Sequence, residues 1–288
     1  MDLLLQATVQ GVLVGGAYAL VALSLGLTYN VSGIINFSHG DFLTLSMFLA
    51  LAMQVAFRFD PYVSGVLLFP VLFVLGAAVY HFLLRPVARS HLLMVIQLTL
   101  GITFVVQNGL LMSFGGQPVR VPSAYEASLI QIGDELVLRT PQVLAFAGSL
   151  LLALLLWLVL DHTEIGRRIR AVHQNPRAAA LMGIDVPRLR MMIFGVGIGI
   201  QALAGALLLP GQPVEPSLGF RYTVIPLMAL VMGGLTDFRG VYLGALLIGV
   251  TEALGTVYVS GTSGMMVPYG LFILVLLLRP QGLFRRAR

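Results

Sequence analysis

Long apolar runs, most of them close to the thickness of a membrane, limit what this sequence can fold into. A helix needs about 20 apolar residues to cross the ~30 Å hydrocarbon core of a bilayer. Hydrophobic residues make up 58% of the chain and charged residues 10%, whereas soluble domains carry about 25% charged residues. We therefore predict an all-α polytopic membrane protein, one domain over 1–288, with about 8–10 transmembrane helices. The apolar runs are 3–29, 41–57, 62–84, 92–114, 141–160, 191–210, 222–234, 240–259 and 264–279.

The run 222–234 is too short to cross a membrane alone, because about 13 residues of helix span only ~20 Å. It contains Pro226 and ends in Gly233 and Gly234. Short segments interrupted by glycine or proline often mark broken helices beside a translocation path. A tilted or buried helix is an equally good interpretation. The predicted fold therefore includes broken or short helices.

The arginines indicate the orientation in the membrane. Twelve of the 17 basic residues lie in the segments 85–89, 167–190 and 279–288, which fall on one side of the predicted spans. Positive residues concentrate in cytoplasmic loops, so we expect the N-terminus outside and the C-terminus in the cytoplasm. The connection at about 115–140 is then extracytoplasmic, and its short apolar alternation favours a hairpin or an interfacial cover. The polar connection at about 161–190 is cytoplasmic.

Composition argues against an enzyme and against metal or nucleotide chemistry within this chain. There is no cysteine, and the five histidines are scattered, so no zinc-ligand spacing occurs. The chain has no lysine, so it lacks the phosphate-binding motif GxxxxGK[ST]. Glu252 has no acid–base partner evident in the sequence. We predict no catalytic, cofactor or metal site, and no nucleic-acid partner, because the arginines lie between apolar runs.

A short helix is predicted within the cytoplasmic connection. Asn175 is a good N-cap, Pro176 suits the first helical position, and Gly183 supplies the end. About two turns of helix are not stable alone, so its apolar face must pack on the membrane surface or in a groove of a cytoplasmic partner. Small alanines permit close approach and favour the partner. The predicted docking residues are Asn175, Pro176, Arg177, Ala178, Ala179, Ala180, Leu181, Met182 and Gly183.

Polar side chains inside apolar surroundings are the candidates for a solute path. In GIINFSHGDF (33–42), the two glycines permit a chain break, and Asn36, Ser38 or Asp41 can cap the helix that follows. A stripe at i, i+4 and i+8 of the fourth span either lines a pore or bonds between helices. The candidate path residues are Asn36, Ser38, His39, Thr99, Thr103, Gln107 and Glu252.

Four stretches, in order along nearly the whole chain, resemble the motifs of LivH-type permeases of branched-chain amino acid ABC importers. In LTYNVSG, the tyrosine and asparagine stand where an apolar or glycine residue is commoner. The four stretches are VGGAYALVALSLGLTYNVSGIINFSHGDFLTL (14–45), QLTLGITFVVQNGLLMSFGG (97–116), EIGRRIRAVHQNPRAAALMGIDVPRLR (164–190) and MGGLTDFRGVYLGALLIGVTEAL (232–254).

The resemblance implies a type II ABC-importer-like permease in a bacterial or archaeal inner membrane. Such a permease pairs with a second, similar permease, sits on two cytoplasmic ATP-binding subunits and receives solute from an extracytoplasmic binding protein. Residues 176–183 match the family's coupling helix. The implied solutes are leucine, isoleucine and valine, although relatives carry urea, short amides or other amino acids.

A stand-alone secondary transporter or channel is the alternative from another class. It would need ion-coupling groups within the spans, and Glu252, Asp41 and His39 are the residues that qualify. The two classes differ in one observable, because an importer half should not accumulate solute without its ATPases.

Overall fold

The protein is almost entirely helical. The computed structural model describes residues 2–88, 91–121, 128–132, 136–259, 264, 266–280 and 282–283. Within these residues the helices are α1 (Asp2–Ser32), α2 (His39–Phe57), α3 (Pro61–Val79), α4 (Arg85–Val87), α5 (Leu92–Phe114), α6 (Thr140–His162), α7 (Glu164–Gln174), α8 (Pro176–Leu181), α9 (Val186–Leu208), α10 (Leu218–Gly233), α11 (Phe238–Tyr258) and α12 (Val267–Leu278).

Seven of the described helices are long and apolar enough to cross a membrane. One of them is α3, which continues without a break through a π-helical turn, Tyr80–Leu84, into α4. Two shorter apolar helices, α10 and α12, occupy the remaining predicted spans. The prediction of a polytopic helical membrane protein with some short helices is confirmed.

A small antiparallel strand pair lies in the connection between α5 and α6. Strand β1 (Leu129–Ile132) pairs with β2 (Leu136–Arg139), with Leu129 opposite Arg139. This pairing confirms the hairpin expected from the alternating pattern. Residues 122–127 and 133–135 of the predicted connection lie outside the described residues.

Helix α1 is the centre of the bundle and is almost fully buried. It packs tightly on α11 because small residues face each other: a Cβ added to Gly15 would lie 2.7 Å from Leu246 Cα. Helix α9 runs antiparallel beside α1, since Val31 lies next to Arg190 and Ser24 next to Gln201. Close approach of backbones through small residues is the usual packing of membrane helices.

The chain turns back into the bundle between α1 and α2. Gly33 takes a φ of +70°, which suits glycine, and residues 34–38 then run alongside α1. His39, the first residue of α2, contacts Ser24, which lies eight residues before the end of α1, or about 12 Å along the helix. Helix α2 therefore begins well inside the protein.

Helix α10 begins with one face packed against the first turn of α2. The Gly40 amide donates to Thr223 Oγ1 at 2.9 Å. A Cβ on Gly40 would lie 2.1 Å from the Gly219 carbonyl oxygen, so the crossing requires glycine at this point. Non-helical backbone at membrane depth is tolerated where it is buried in protein. The segment before α2 meets that condition.

Candidate functional site

Three buried polar side chains meet where α2 begins. His39 Nε2 lies 2.8 Å from Ser24 Oγ, and Gln201 Nε2 donates to the same oxygen at 2.6 Å. All three residues are fully buried. They join α1, α2 and α9 at one point, so the predicted residue His39 lies at the junction of three helices and not on an open surface.

The other two predicted residues of this turn bond to each other. Asn36 Oδ1 accepts from the backbone amide and the hydroxyl of Ser38, at 3.1 and 2.7 Å. Ser38 precedes the first residue of α2, but its side chain makes no capping hydrogen bond. Capping by the Ser38 side chain was therefore a wrong expectation. Asn36 instead shapes the turn before the helix through Ser38.

The polar stripe of α5 faces the carboxylate of Asp41 on α2. Thr103 Oγ1 donates to Asp41 Oδ2 at 2.7 Å, and Gln107 Nε2 donates to Asp41 Oδ1 at 3.0 Å. Thr99 instead donates to the Ile96 carbonyl of its own helix. In this conformation, Thr103 and Gln107 make the interhelical bonds that were one of their two interpretations. The sequence offered Asp41 as a helix cap, not as their partner.

A different face of α5 exposes polar and small residues. Gln97, Gly101 and Asn108 are exposed, and the Asn108 amide donates back to the Phe104 carbonyl of its own helix. Polar side chains that face lipid are costly unless protein or water covers them. This outer face of α5 is therefore costly in lipid and suits contact with protein or water.

Glu252 belongs to a second polar cluster, between α1, α10 and α11. Its carboxylate accepts from Tyr18 Oη at 2.7 Å and from Arg221 Nη2 at 2.5 Å. Arg221 Nη2 also donates to Tyr18 Oη at 2.8 Å. The predicted residue Glu252 is thus paired with the guanidinium of Arg221. Arg221 was visible as a basic residue beside the short span, which was the signal available.

The predicted cytoplasmic helix forms as α8, with its expected caps. Asn175 Oδ1 accepts from the amides of Arg177 and Ala178, both at 3.0 Å, and Gly183 takes a φ of +86°. Leu181 and Met182 are 89% and 84% exposed, while Ala179 is 4% exposed. The expectation that Ala179 belongs to the presented face is wrong, because that side chain packs inward.

Both flanks of α8 bind the end of α1. His173 Nδ1 lies 2.9 Å from the Asn30 carbonyl oxygen, and Arg190 Nε donates to the Val31 carbonyl at 2.9 Å. The last carbonyls of a helix have no partner within the helix, so these contacts satisfy them. Neither residue was singled out from the sequence, since the contacts join positions 143 and 159 residues apart.

No cluster of three or more metal-binding side chains occurs among the residues that the structure describes. The polar groups instead form hydrogen-bonded junctions between helices. Such an arrangement can hold, release and reposition helices and can offer polar contacts to a passing solute.

The whole chain is similar to known permeases. Residues 7–276 match the family described as branched-chain amino acid transport system / permease component. The high-affinity branched-chain amino acid transport system permease LivH of Escherichia coli is 29% identical, over 98% of this chain and 96% of that protein. The corresponding BraD of Pseudomonas aeruginosa is 27% identical over the same shares. The ribose import permease RbsC of Bacillus subtilis is 34% identical over 43% of this chain and 41% of its own.

Proposed function

The chain belongs to the family of branched-chain amino acid transport system permeases and is a permease subunit of an ABC importer; we propose that it carries branched-chain or related amino acids. As such a subunit it is a multi-pass inner-membrane protein, not an enzyme, and works with ATPase and solute-binding partners. We also propose that it pairs with a second, homologous permease above two ATPases. The distribution of arginines supports an outside N-terminus and a cytoplasmic C-terminus.

The exposed apolar tip of α8 is the observation that carries the proposed docking on an ATPase. Leu181 and Met182 are almost fully exposed at the end of a helix that is capped at both ends. Large apolar side chains exposed at a protrusion suit insertion into a groove on a protein partner. In the proposed complex, residues 176–183 are the coupling helix and these two side chains enter the ATPase.

The bonds from His173 and Arg190 offer a route from this docking helix into the membrane. They hold the last turn of α1, directly before Gly33 and the turn that leads to α2. A displacement of α8 therefore acts on the point where the chain reverses. The buried junction of His39, Ser24 and Gln201 lies at the other end of that turn.

The outer face of α5 supports a solute path shared with the second permease. Gln97 and Asn108 are exposed on this face within a span, and a partner subunit and the path between the two would cover them. Asn36, Ser38 and His39 take part by rearranging the turn as the path alternates between sides. Thr103 and Gln107 hold α2 in place meanwhile, and Thr99 lies one turn away on the same stripe.

Crosslinking from α8 tests the assignment directly. The chain has no native cysteine, so a single Met182→Cys variant can be labelled with a photo-activated crosslinker in the complex with its co-expressed ATPase. We expect a crosslink to the ATPase. A matched Ala179→Cys variant, whose side chain is buried three residues earlier, should crosslink far less. A folded complex without a crosslink from position 182 would contradict the coupling-helix assignment.

Uptake by the two permeases without an ATPase tests the alternative that the protein is a secondary transporter. Proteoliposomes that contain this chain and its partner permease, but no ATPase, should not concentrate labelled leucine. Concentrative uptake under a proton or sodium gradient would instead establish a secondary transporter and would make Asp41, His39 and Glu252 the groups to test.

A further inference from the structure

We propose that the cavity between α1, α6 and the start of α10 is a station within this one subunit for a small zwitterionic amino acid. The inference rests on the proposed function and deepens it by naming a site and a substrate class. The cavity measures about 120 Å³. A buried water needs roughly 10–15 Å³ on this scale, and drug-sized ligands need roughly 300–1,000 Å³. The cavity therefore suits a molecule of a few heavy atoms.

The cavity wall has an apolar part and a polar part. Leu13 and Ala17 of α1, Ala145 of α6, and Leu207 and Leu208 of α9 contribute to the apolar part. Such a surface accepts a branched aliphatic side chain by removing it from water, at a gain of about 0.8 kcal/mol per buried CH₂. A solute without an apolar part, such as urea, would not gain this contribution from the apolar part of the wall.

Arg221 is the charged residue of the described cavity wall, and its partner Glu252 lies behind that wall. The Arg221 side chain is 43% exposed, against 11% for Glu252. Among the described residues, the guanidinium uses Nη2 for Tyr18 and Glu252. The other nitrogens remain for a ligand, and a guanidinium binds a carboxylate in a two-point fork. Arg221 is thus the anchor for the solute carboxylate.

The neighbouring oxygens suit the solute ammonium group. Tyr18 and Tyr222 line the cavity, and Glu252 is bonded to Arg221 behind it. Because Arg221 and Glu252 balance each other, the polar end has no net charge. A net anion such as phosphate or a fatty acid would meet Glu252 unfavourably, whereas a zwitterion matches both signs.

The positions of Tyr18 and Glu252 along their helices suit a binding site that the solute reaches early during import. Tyr18 lies 14 residues before Ser32, and Glu252 lies 14 residues after Phe238, about 21 Å along each helix from these ends. In the proposed orientation these ends are cytoplasmic. Tyr18 is then near the middle of α1 and Glu252 in the outer third of α11, so the cavity lies from the middle of the bilayer outward, on the side where a binding protein delivers solute.

Filling the cavity without touching the ion pair tests the site. Ala145 is buried against it, while Ala147 on the same helix is exposed. In the purified permease–ATPase complex without binding protein, we expect Ala145→Phe to weaken binding of radiolabelled L-leucine at least about tenfold, or ~1.4 kcal/mol. Ala147→Phe, of equal size, should leave binding unchanged.

A second variant covers the case in which Ala145→Phe does not fold. Replacing Arg221→Met together with Glu252→Gln removes both charges at once, so that no unpaired charge stays buried. This double variant should also lose leucine binding about tenfold. In the unaltered complex, leucinamide, which lacks the carboxylate, and 4-methylpentanoate, which lacks the ammonium, should compete at least about tenfold more weakly than leucine.

Two results would contradict the proposed solute site. One is that the unaltered complex does not bind leucine. The other is that the folded double variant, Arg221→Met with Glu252→Gln, binds leucine as well as Ala147→Phe does. The crosslink from position 182 is measured on the same preparations. If it persists while the binding tests fail, the station is wrong and the importer assignment stands. If it is absent, the importer assignment fails independently of the cavity.

Discussion

Replacing Thr103 with valine tests whether its hydrogen bond to Asp41 stabilises the contact between α5 and α2. Valine keeps the shape of threonine and removes the hydroxyl that donates to Asp41 at 2.7 Å. A bond to a charged group contributes roughly 1.5–3 kcal/mol in soluble proteins, whereas bonds between membrane helices average ~0.6 kcal/mol. Since Gln107 still donates to the carboxylate, we expect a loss of about 1–2 kcal/mol.

Thr99 on the same helix provides the matched control. It is also buried, but its hydroxyl donates to the Ile96 carbonyl, which belongs to α5 itself. Such bonds back to the preceding turn add little to helix stability, so Thr99→Val should cost less than about 0.5 kcal/mol. The difference between the two variants isolates the contact with α2.

Thermal unfolding of the purified complex in detergent measures both variants. The Thr103→Val change should lower the apparent midpoint by about 2–6 °C, and Thr99→Val by less than half as much. In an Asp41→Asn background, the cost of Thr103→Val should shrink, because the charge that strengthens the bond is gone. Equal effects of the two valine substitutions, or an unchanged cost in that background, would refute the reasoning.

Three further outcomes are expected. His173→Ala and Arg190→Met, which release the last carbonyls of α1, should each lower the amount of leucine taken up per ATP hydrolysed. An equal fall in the rates of leucine uptake and of ATP hydrolysis would contradict the proposed route from α8 to α1. Gly219→Ala would place its Cβ 2.2 Å from a side-chain oxygen of the neighbouring helix and should abolish the monodisperse peak in size-exclusion chromatography, whereas Gly101→Ala, with open space around it, should not. Gly183→Ala, at a φ of +86°, should cost about 1–2 kcal/mol in thermal unfolding, and no loss would mean that the end of α8 relaxes.

Local signals explain the parts of the fold that the sequence predicts well. The apolar runs fix the spans because a bilayer leaves a helix few other choices. Asn175, Pro176 and Gly183 act within a few residues of each other, so the start and end of α8 follow from capping chemistry alone. The direction in which Ala179 points depends on α7 and α9, and no local rule supplies it.

Long-range contacts explain what could not be predicted in the polar sites. Tyr18 meets Glu252 across 234 positions, and Thr103 meets Asp41 across 62. A stripe of polar residues on one helix reveals that it needs a partner but not which one. Gln201 gave a signal of this kind, as a lone amide in an otherwise apolar span, and its partners became evident only once α1, α2 and α9 were assembled.

Helix α1 places three distant features on one continuous rod. Tyr18 borders the cavity, Ser24 touches the start of α2, and Val31 is held by Arg190 beside α8. Under thermodynamic linkage, any effect of ATPase docking on solute affinity at Tyr18 must be matched by an equal effect of solute on docking affinity. The factor by which leucine changes the affinity for the ATPase should therefore equal the factor by which the ATPase changes the affinity for leucine. The two factors are measured by titrating each ligand at several concentrations of the other.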